Sequence, residues 1–68
     1  MYLHIGNEVT VTTDEIIAVI NGKYEDAERK AIYSALPKGK KIISSVLTDN
    51  GVYYSAINSL TLQKRAFL

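Results

Sequence analysis

This chain has 68 residues and no cysteine, so disulfides cannot hold its fold together. A domain of about 60 to 70 residues buries only ~60% of the surface of its unfolded chain, and a core of that size rarely supplies more than ~3–5 kcal/mol. With one histidine and no cysteine, the chain also lacks the ligands of a structural zinc site. Oligomerisation is the remaining way to supplement such a core, and we therefore expect a homo-oligomer.

The composition is that of a globular chain rather than of a disordered or membrane-spanning one. Hydrophobic residues make up 47% of the sequence, and the longest apolar run, from Ile16 to Ile20, is far too short to cross a bilayer. The first residues lack the basic start and long apolar stretch of a signal peptide. We expect a soluble, cytoplasmic protein with no membrane contact.

The net charge of +1 hides an uneven distribution along the chain. Residues 1–37 hold three Lys and Arg against six Asp and Glu, whereas residues 38–68 hold five against one. This asymmetry suits an acidic-to-basic contact between subunits, a basic surface that faces an acidic polymer, or simply a mixed, solvated surface.

The first 21 residues predict a hairpin followed by a central strand. Gly6-Asn7 supplies a positive-φ turn, and the strand after it alternates apolar with polar residues. The run from Ile16 to Ile20 is apolar on both faces, which is typical of a strand covered on two sides, and Asn21-Gly22 ends it. We place this run in the middle of the sheet.

Residues 24–36 predict a helix. Acidic residues crowd its start and basic ones follow, in agreement with the helix dipole, and Pro37 ends it. The apolar residues at helical spacing are Tyr24, Ala27, Ala31, Ile32 and Ala35.

The last third predicts a second hairpin and a short helix. Strands over 41–48 and 52–57 flank Asp49-Asn50-Gly51, a strong hairpin signal. Asn58 or Ser59 then caps a C-terminal helix that runs through Arg65. Its apolar residues, Leu60, Leu62 and Phe67, are expected to dock on the sheet or on a neighbouring subunit.

These elements define one α+β domain over residues 1–68. We predict a small, mostly antiparallel sheet of about five strands, made of two hairpins plus a central strand, with one helix packed on it and a short C-terminal helix.

Lysines are concentrated in one short segment, at Lys38, Lys40 and Lys41. Three ammonium groups within four residues can neutralise phosphates without reading base sequence. The alternative is a solvated loop whose charges protect a sheet edge from aggregation. Lys64-Arg65 likewise fits either phosphate contact or a cation pair that favours the helix dipole.

No combination of residues indicates catalysis, and we predict a non-enzyme without cofactor, metal or small-molecule substrate. The chain has no phosphate-cradling glycine loop and no nucleophile elbow, and His4 is its one histidine. A lone His is a poor metal site, so we expect a packing or interface role for it. Asp14-Glu15 is more simply a pair of turn or capping acids, or a pair that meets the lysines of a neighbouring subunit, than a carboxylate dyad.

Four phrases occur in order along the chain and carry a resemblance. They are Tyr2-Leu3-His4-Ile5-Gly6, the run from Thr12 to Val19, Leu36-Pro37-Lys38, and the run from Val52 to Arg65. In order and spacing they resemble the extracellular-matrix/biofilm regulator family, and of its RemA-like and RemB-like branches the chain is nearer the second. The resemblance covers essentially the whole chain and is weakest over 22–35.

The resemblance implies a small α/β protein that forms a closed ring and binds double-stranded DNA to activate matrix or osmoprotection genes. The DNA-binding branch has a basic pair after a glycine, which corresponds to Lys40-Lys41 after Gly39. It also has a basic residue ahead of the central strand, where this chain has Glu15.

Together these observations predict a ring-forming, DNA-binding transcription regulator of biofilm genes. Its predicted nucleic-acid contacts are Lys38, Lys40, Lys41, Lys64 and Arg65. The alternative is an oligomeric assembly or adaptor protein of the same fold that does not bind DNA.

Overall fold

The computed structural model describes residues 1–24 and 31–67. Within these ranges the strands are β1 (Tyr2–Gly6), β2 (Val9–Thr12), β3 (Ile16–Asn21), β4 (Ile32–Ala35), β5 (Ser44–Thr48) and β6 (Gly51–Ser55). A single 3₁₀ turn, Thr13–Glu15, joins β2 to β3, and the helix α1 (Ser59–Phe67) follows β6. The mostly antiparallel α+β fold is confirmed for this part of the chain.

The strands form two sheets rather than the predicted single sheet of about five strands. β1 and β2 make a two-stranded sheet, and the other four make a sheet in the order β3-β5-β6-β4. In the second sheet only β4 and β6 are parallel. The first hairpin therefore packs on the larger sheet instead of extending it.

Both predicted hairpins are present. In the first, Gly6 pairs with Val9 across Asn7 and Glu8, whose φ angles are 46° and 62°. Two positive φ angles in a two-residue loop are typical of a type I′ turn, which matches the twist of the flanking strands. In the second, Thr48 pairs with Gly51, so the loop is Asp49-Asn50 and the glycine opens β6.

The helix predicted over 24–36 is wrong in its second half. Residues 32–35 are β4, which pairs in parallel with β6, while residues 25–30 lie outside the described part of the chain. Apolar residues at helical spacing were a weak signal here because Ile32 and Tyr33 have side chains that also suit a pleated sheet. Parallel pairing with β6 makes residues 32–35 a strand, so Pro37 follows the end of a strand and not the end of a helix.

The run from Ile16 to Ile20 is a strand, as predicted, but its central position is wrong. β3 pairs only with β5 and forms one edge of the sheet. A bulge interrupts the pairing between Ile16 and Ala18, so Ile17 has no partner in the register and is 61% exposed. Within this run, Val19 is buried in the core and Ile17 is exposed at the surface.

The main core lies between the first hairpin, the larger sheet and α1. Leu3, Ile5 and Val11 line the inner face of the hairpin, and they meet Val19, Ala35 and Val46 of the sheet and Leu62 of the helix. On the opposite face of the sheet, Val52 and Tyr54 form a second cluster, against which Tyr24, Leu36, Ile42 and Leu47 pack.

Helix α1 is confirmed, and Asn58 is its cap. The Asn58 side-chain oxygen accepts the backbone N–H of Leu60 at 2.8 Å. Leu62 is fully buried against the core, whereas Leu60 and Phe67 are 64% and 61% exposed. Only one of the three apolar residues expected to dock therefore packs within its own subunit.

Candidate nucleic-acid interface

The three clustered lysines lie on a tight turn between β4 and β5. The backbone N–H of Lys40 donates to the carbonyl of Pro37 at 3.1 Å, and Gly39 has a φ of +82°. A positive φ at the third position is the signature of a type II turn, and glycine adopts it without strain. Lys38, Lys40 and Lys41 are all exposed. We call them the lysine turn.

Both arms of the lysine turn are fixed to the sheet. Leu36 before it and Ile42 after it pack against the cluster of Val52 and Tyr54. The backbone N–H of Ile43 donates to the carbonyl of Ser55 at 2.9 Å. The backbone of the turn is therefore anchored to the sheet on both sides, and its three lysines are exposed.

Lys23 joins the lysine turn at the same end of the sheet. The Ser45 hydroxyl donates to the Gly22 carbonyl at 2.7 Å and accepts the backbone N–H of Tyr24 at 3.0 Å, so it holds both neighbours of Lys23. The backbone N–H of Gly22 also donates to the Ile43 carbonyl at 2.8 Å. Lys23 itself is exposed.

Sequence reasoning missed Lys23 because 14 residues of chain separate it from Lys38. The signal that could have found it is antiparallel pairing of β3 with β5, which places the residue after one strand beside the residue before the other. We call Lys23 and the lysine turn together the lysine end of the sheet.

One carboxylate lies towards this end as well. The first hairpin turns at Asn7-Glu8, and its neighbour Gly6 sits against the Ala35 carbonyl, where an added Cβ would come within 2.8 Å. The Ser55 hydroxyl also donates to the Ile5 carbonyl at 2.7 Å. Glu8, exposed on this turn, reduces the positive charge of the lysine end without cancelling four lysines.

The opposite end of the sheet carries acidic residues. Asp14 and Glu15 precede β3, and Asp49 lies in the turn between β5 and β6. The backbone N–H of Asp49 donates to the Glu15 carbonyl at 3.2 Å, so the two segments are adjacent. We call Asp14, Glu15 and Asp49 the acidic end.

The Glu15 carboxylate also affects a tyrosine on the sheet. The rings of Tyr33 and Tyr53 stack with centroids 4.8 Å apart and planes at 25°. Burial is the main cause that raises the pKa of Tyr53, and Tyr33 and Glu15 raise it further. Tyr54 points to the other face, where its hydroxyl donates to the Tyr24 carbonyl at 3.1 Å. The tyrosines thus form no continuous platform for base stacking.

Lys64 and Arg65 are exposed in the last turn of α1. The side-chain amide of Gln63 donates to the Val19 carbonyl in β3 at 3.3 Å, so this part of the helix is level with the middle of the strand. The structure therefore does not bring Lys64 and Arg65 together with the lysine turn. Their position at a helix C-terminus favours the dipole.

His4 is exposed on the outer face of the first hairpin, opposite Thr10. In the part of the chain that the structure describes, no three His, Cys, Asp or Glu side chains come close enough to hold a metal ion. Among residues 1–24 and 31–67, no helix is long and apolar enough to cross a membrane.

Comparison with known proteins agrees with the four phrases read from the sequence. Residues 2–66 match the family model described as "RemA-like: Extracellular matrix regulatory protein A-like". The chain belongs to this family. It is also 32% identical over 73 aligned positions to "Extracellular matrix regulatory protein B" of Bacillus subtilis (strain 168), with 97% of this chain and 90% of that protein covered. The predicted RemA/RemB-like family is thereby confirmed, and with it a place among extracellular matrix regulatory proteins.

Proposed function

We propose that this protein is a non-enzymatic, ring-forming regulator of matrix and biofilm genes that binds double-stranded DNA through the lysine end of its sheet. The observation that carries the proposal is the anchored turn that presents Lys38, Lys40 and Lys41, with Lys23 held beside it. Such lysines neutralise phosphates and fix a protein on a duplex without reading its sequence.

One subunit offers a small patch, and a homo-oligomer would repeat it. Closed symmetry places identical patches at regular intervals, so weak contacts act together through effective concentration. A duplex that bends along the ring would engage several lysine ends at once. The family assignment supports a regulator, and the repeated patch supplies the physical means by which it would hold DNA.

The acidic end does not prevent this within one subunit. β3 has six residues and separates Glu15 from Lys23 by a strand length of about 15–20 Å. At physiological salt the screening length is about 8 Å, so Glu15 weakly affects phosphates bound at the lysine end. The acidic residue ahead of β3 is therefore compatible with DNA binding at the lysine end.

The test is duplex binding as a function of salt, measured by fluorescence anisotropy from about 50 to 200 mM salt. We expect log K to fall linearly with log salt. Lys40→Ala or Lys41→Ala should weaken binding and make the slope shallower by about one for each phosphate that is no longer neutralised. Thr10→Glu is the matched control, because it also removes one unit of positive net charge, at an exposed position on the first hairpin. Absence of binding at the lowest salt would refute DNA binding.

A second candidate is an assembly or adaptor protein of the same fold, in which the lysine end meets an acidic protein. The acidic end favours it, because Glu15 stands where the DNA-binding branch has a basic residue, beside Asp14 and Asp49. This candidate predicts an oligomer whose mass does not change with duplex DNA. Light scattering with and without DNA separates the two.

A further inference from the structure

The outer face of α1 carries two large apolar side chains that the described part of the chain leaves uncovered. Leu60 and Phe67 stand seven residues apart on this face, and with Gln63 and Lys64 they line an open groove of about 240 Å³. The helix thus has a buried stripe containing Leu62 and a second apolar stripe at the surface.

The size of the groove favours a protein side chain as its occupant. Pockets for small molecules are usually about 300–1,000 Å³ and enclose most of the ligand. This groove is smaller and open, and its lining is mostly apolar. An open apolar groove of this kind suits an aliphatic side chain presented by another protein surface.

Charge disfavours symmetric packing of two such helices. Lys64 lies between Leu60 and Phe67 along the stripe, and Arg65 follows it. Packing α1 on α1 of another copy would bring these cations together with no acidic residue of the helix to balance them. A surface that combines an apolar side chain with carboxylates is complementary to this stripe.

The start of β3 has both properties. The bulge leaves Ile17 unpaired and 61% exposed on the edge of the sheet, and a bulge turns a side chain out of its regular direction. The acidic end, Asp14, Glu15 and Asp49, adjoins it. Among the exposed large apolar residues of the described chain, Ile17 is the one that follows acidic residues within three positions.

We propose that the groove on α1 of one copy receives Ile17 of a second copy, with Lys64 facing the carboxylates of the acidic end. Each copy has one groove and one Ile17 to offer, and the contact is heterologous when the two surfaces of one copy engage two different neighbours. Repetition of such a contact produces a closed ring or an open filament. The contact gives Glu15 a role that needs no DNA.

This inference names the contact by which the proposed oligomer forms, and so rests on that part of the proposed function. It does not depend on DNA binding. Oligomer mass tests the contact and duplex affinity tests the DNA interface, so either can fail alone.

The experiment is a charge exchange followed by sedimentation velocity. We expect the wild-type chain to sediment as an oligomer and Lys64→Glu or Glu15→Lys alone to raise the apparent dissociation constant of assembly about tenfold or more. The double variant places opposite charges together again and is expected to recover most of the wild-type mass. Arg65→Glu makes the same charge change one residue further along the helix, outside the groove, and should change the mass little.

Apolar variants complete the test. Ile17→Ser and Phe67→Ser change exposed residues, so each is expected to keep the wild-type circular dichroism spectrum while losing assembly. A monomeric wild type, or single variants that keep the wild-type mass, would overturn the proposal. It would equally be overturned by a folded charge-exchange double variant that stays dissociated.

Discussion

Gly51 lies so close to the carbonyl oxygen of Ala31 that a Cβ added to the glycine would overlap that oxygen. The same carbonyl accepts the backbone N–H of Val52 at 2.9 Å. The glycine therefore lets the chain entering β4 approach the start of β6, and parallel pairing of these strands continues from that point.

Gly51→Ala is expected to destabilise the fold by more than about 2 kcal/mol, because a φ of +145° is strained for alanine and the Ala31 backbone would have to move. Gly22→Ala is the matched control. Gly22 also has a positive φ, +83°, but an added Cβ meets nothing within 4 Å, so the cost should be about 1 kcal/mol. Urea denaturation of both variants measures the difference, and equal losses would show that the contact with Ala31 is unimportant.

The second hairpin shows what local sequence can and cannot determine. Asn50-Gly51 correctly predicted a turn, because turn chemistry depends on adjacent residues. The contact of Gly51 with Ala31 depends on a strand 20 residues away, and nothing in the local pattern indicates it. For the same reason β4 was mistaken for helix, since its pairing with β6 outweighed a short helical periodicity.

Only the part of the candidate site that is contiguous in sequence could be predicted from it. The lysine turn is contiguous in sequence and was found from it. Lys23 and the acidic end are assembled from segments that strand pairing brings together, β3 with β5, and so they depended on knowing the sheet order. The exposure of Ile17 required the bulge, which has no sequence signature here.

Ser45 holds the segment around Lys23, and its removal is expected to loosen that segment. Its fully buried hydroxyl makes two hydrogen bonds, to Gly22 and Tyr24. Ser45→Ala should lower the free energy of unfolding by about 1–3 kcal/mol, because the Gly22 carbonyl loses its donor. Ser34→Ala, which changes an exposed serine, should cost less than about 0.5 kcal/mol. Thermal denaturation compares the two, and similar melting temperatures would contradict this role.

Lys23 is expected to contribute to DNA affinity as much as Lys40 does. Lys23→Ala should weaken duplex binding and make the salt dependence shallower by about one for each engaged subunit, because each such subunit then neutralises one phosphate fewer. Lys23→Arg keeps the charge and should bind like the wild type. Anisotropy titrations of both variants, at matched oligomer mass, provide the measurement. If Lys23→Ala binds like wild type while Lys40→Ala does not, the patch is limited to the lysine turn.

The Tyr53 phenol is expected to make stability depend on alkaline pH. Its pKa lies above the usual 10.0, chiefly through burial, so the folded state favours the neutral phenol. The resulting stability is fully present below about pH 10 and is lost as pH rises through the folded-state pKa. Tyr53→Phe should lose less stability than the wild type over that window, and Glu15→Gln should lower the pKa of Tyr53. Phenolate absorbance and urea denaturation between about pH 9 and 12 test both, and identical alkaline profiles would contradict the assignment.

Helix α1 offers a direct comparison of its two apolar stripes. Leu62 is fully buried in the main core, whereas Leu60, two residues earlier, is 64% exposed. Leu62→Ala should cost about 2–5 kcal/mol through reduced burial and the cavity left behind, at any protein concentration. Leu60→Ala removes the same atoms from the outer groove, so its cost should be small in dilute protein and should grow as the protein assembles, because assembly links folding to concentration. Urea denaturation at several protein concentrations separates these effects. A concentration-independent cost for Leu60→Ala would mean that the outer stripe stabilises the single subunit and that its contact with a second copy does not form.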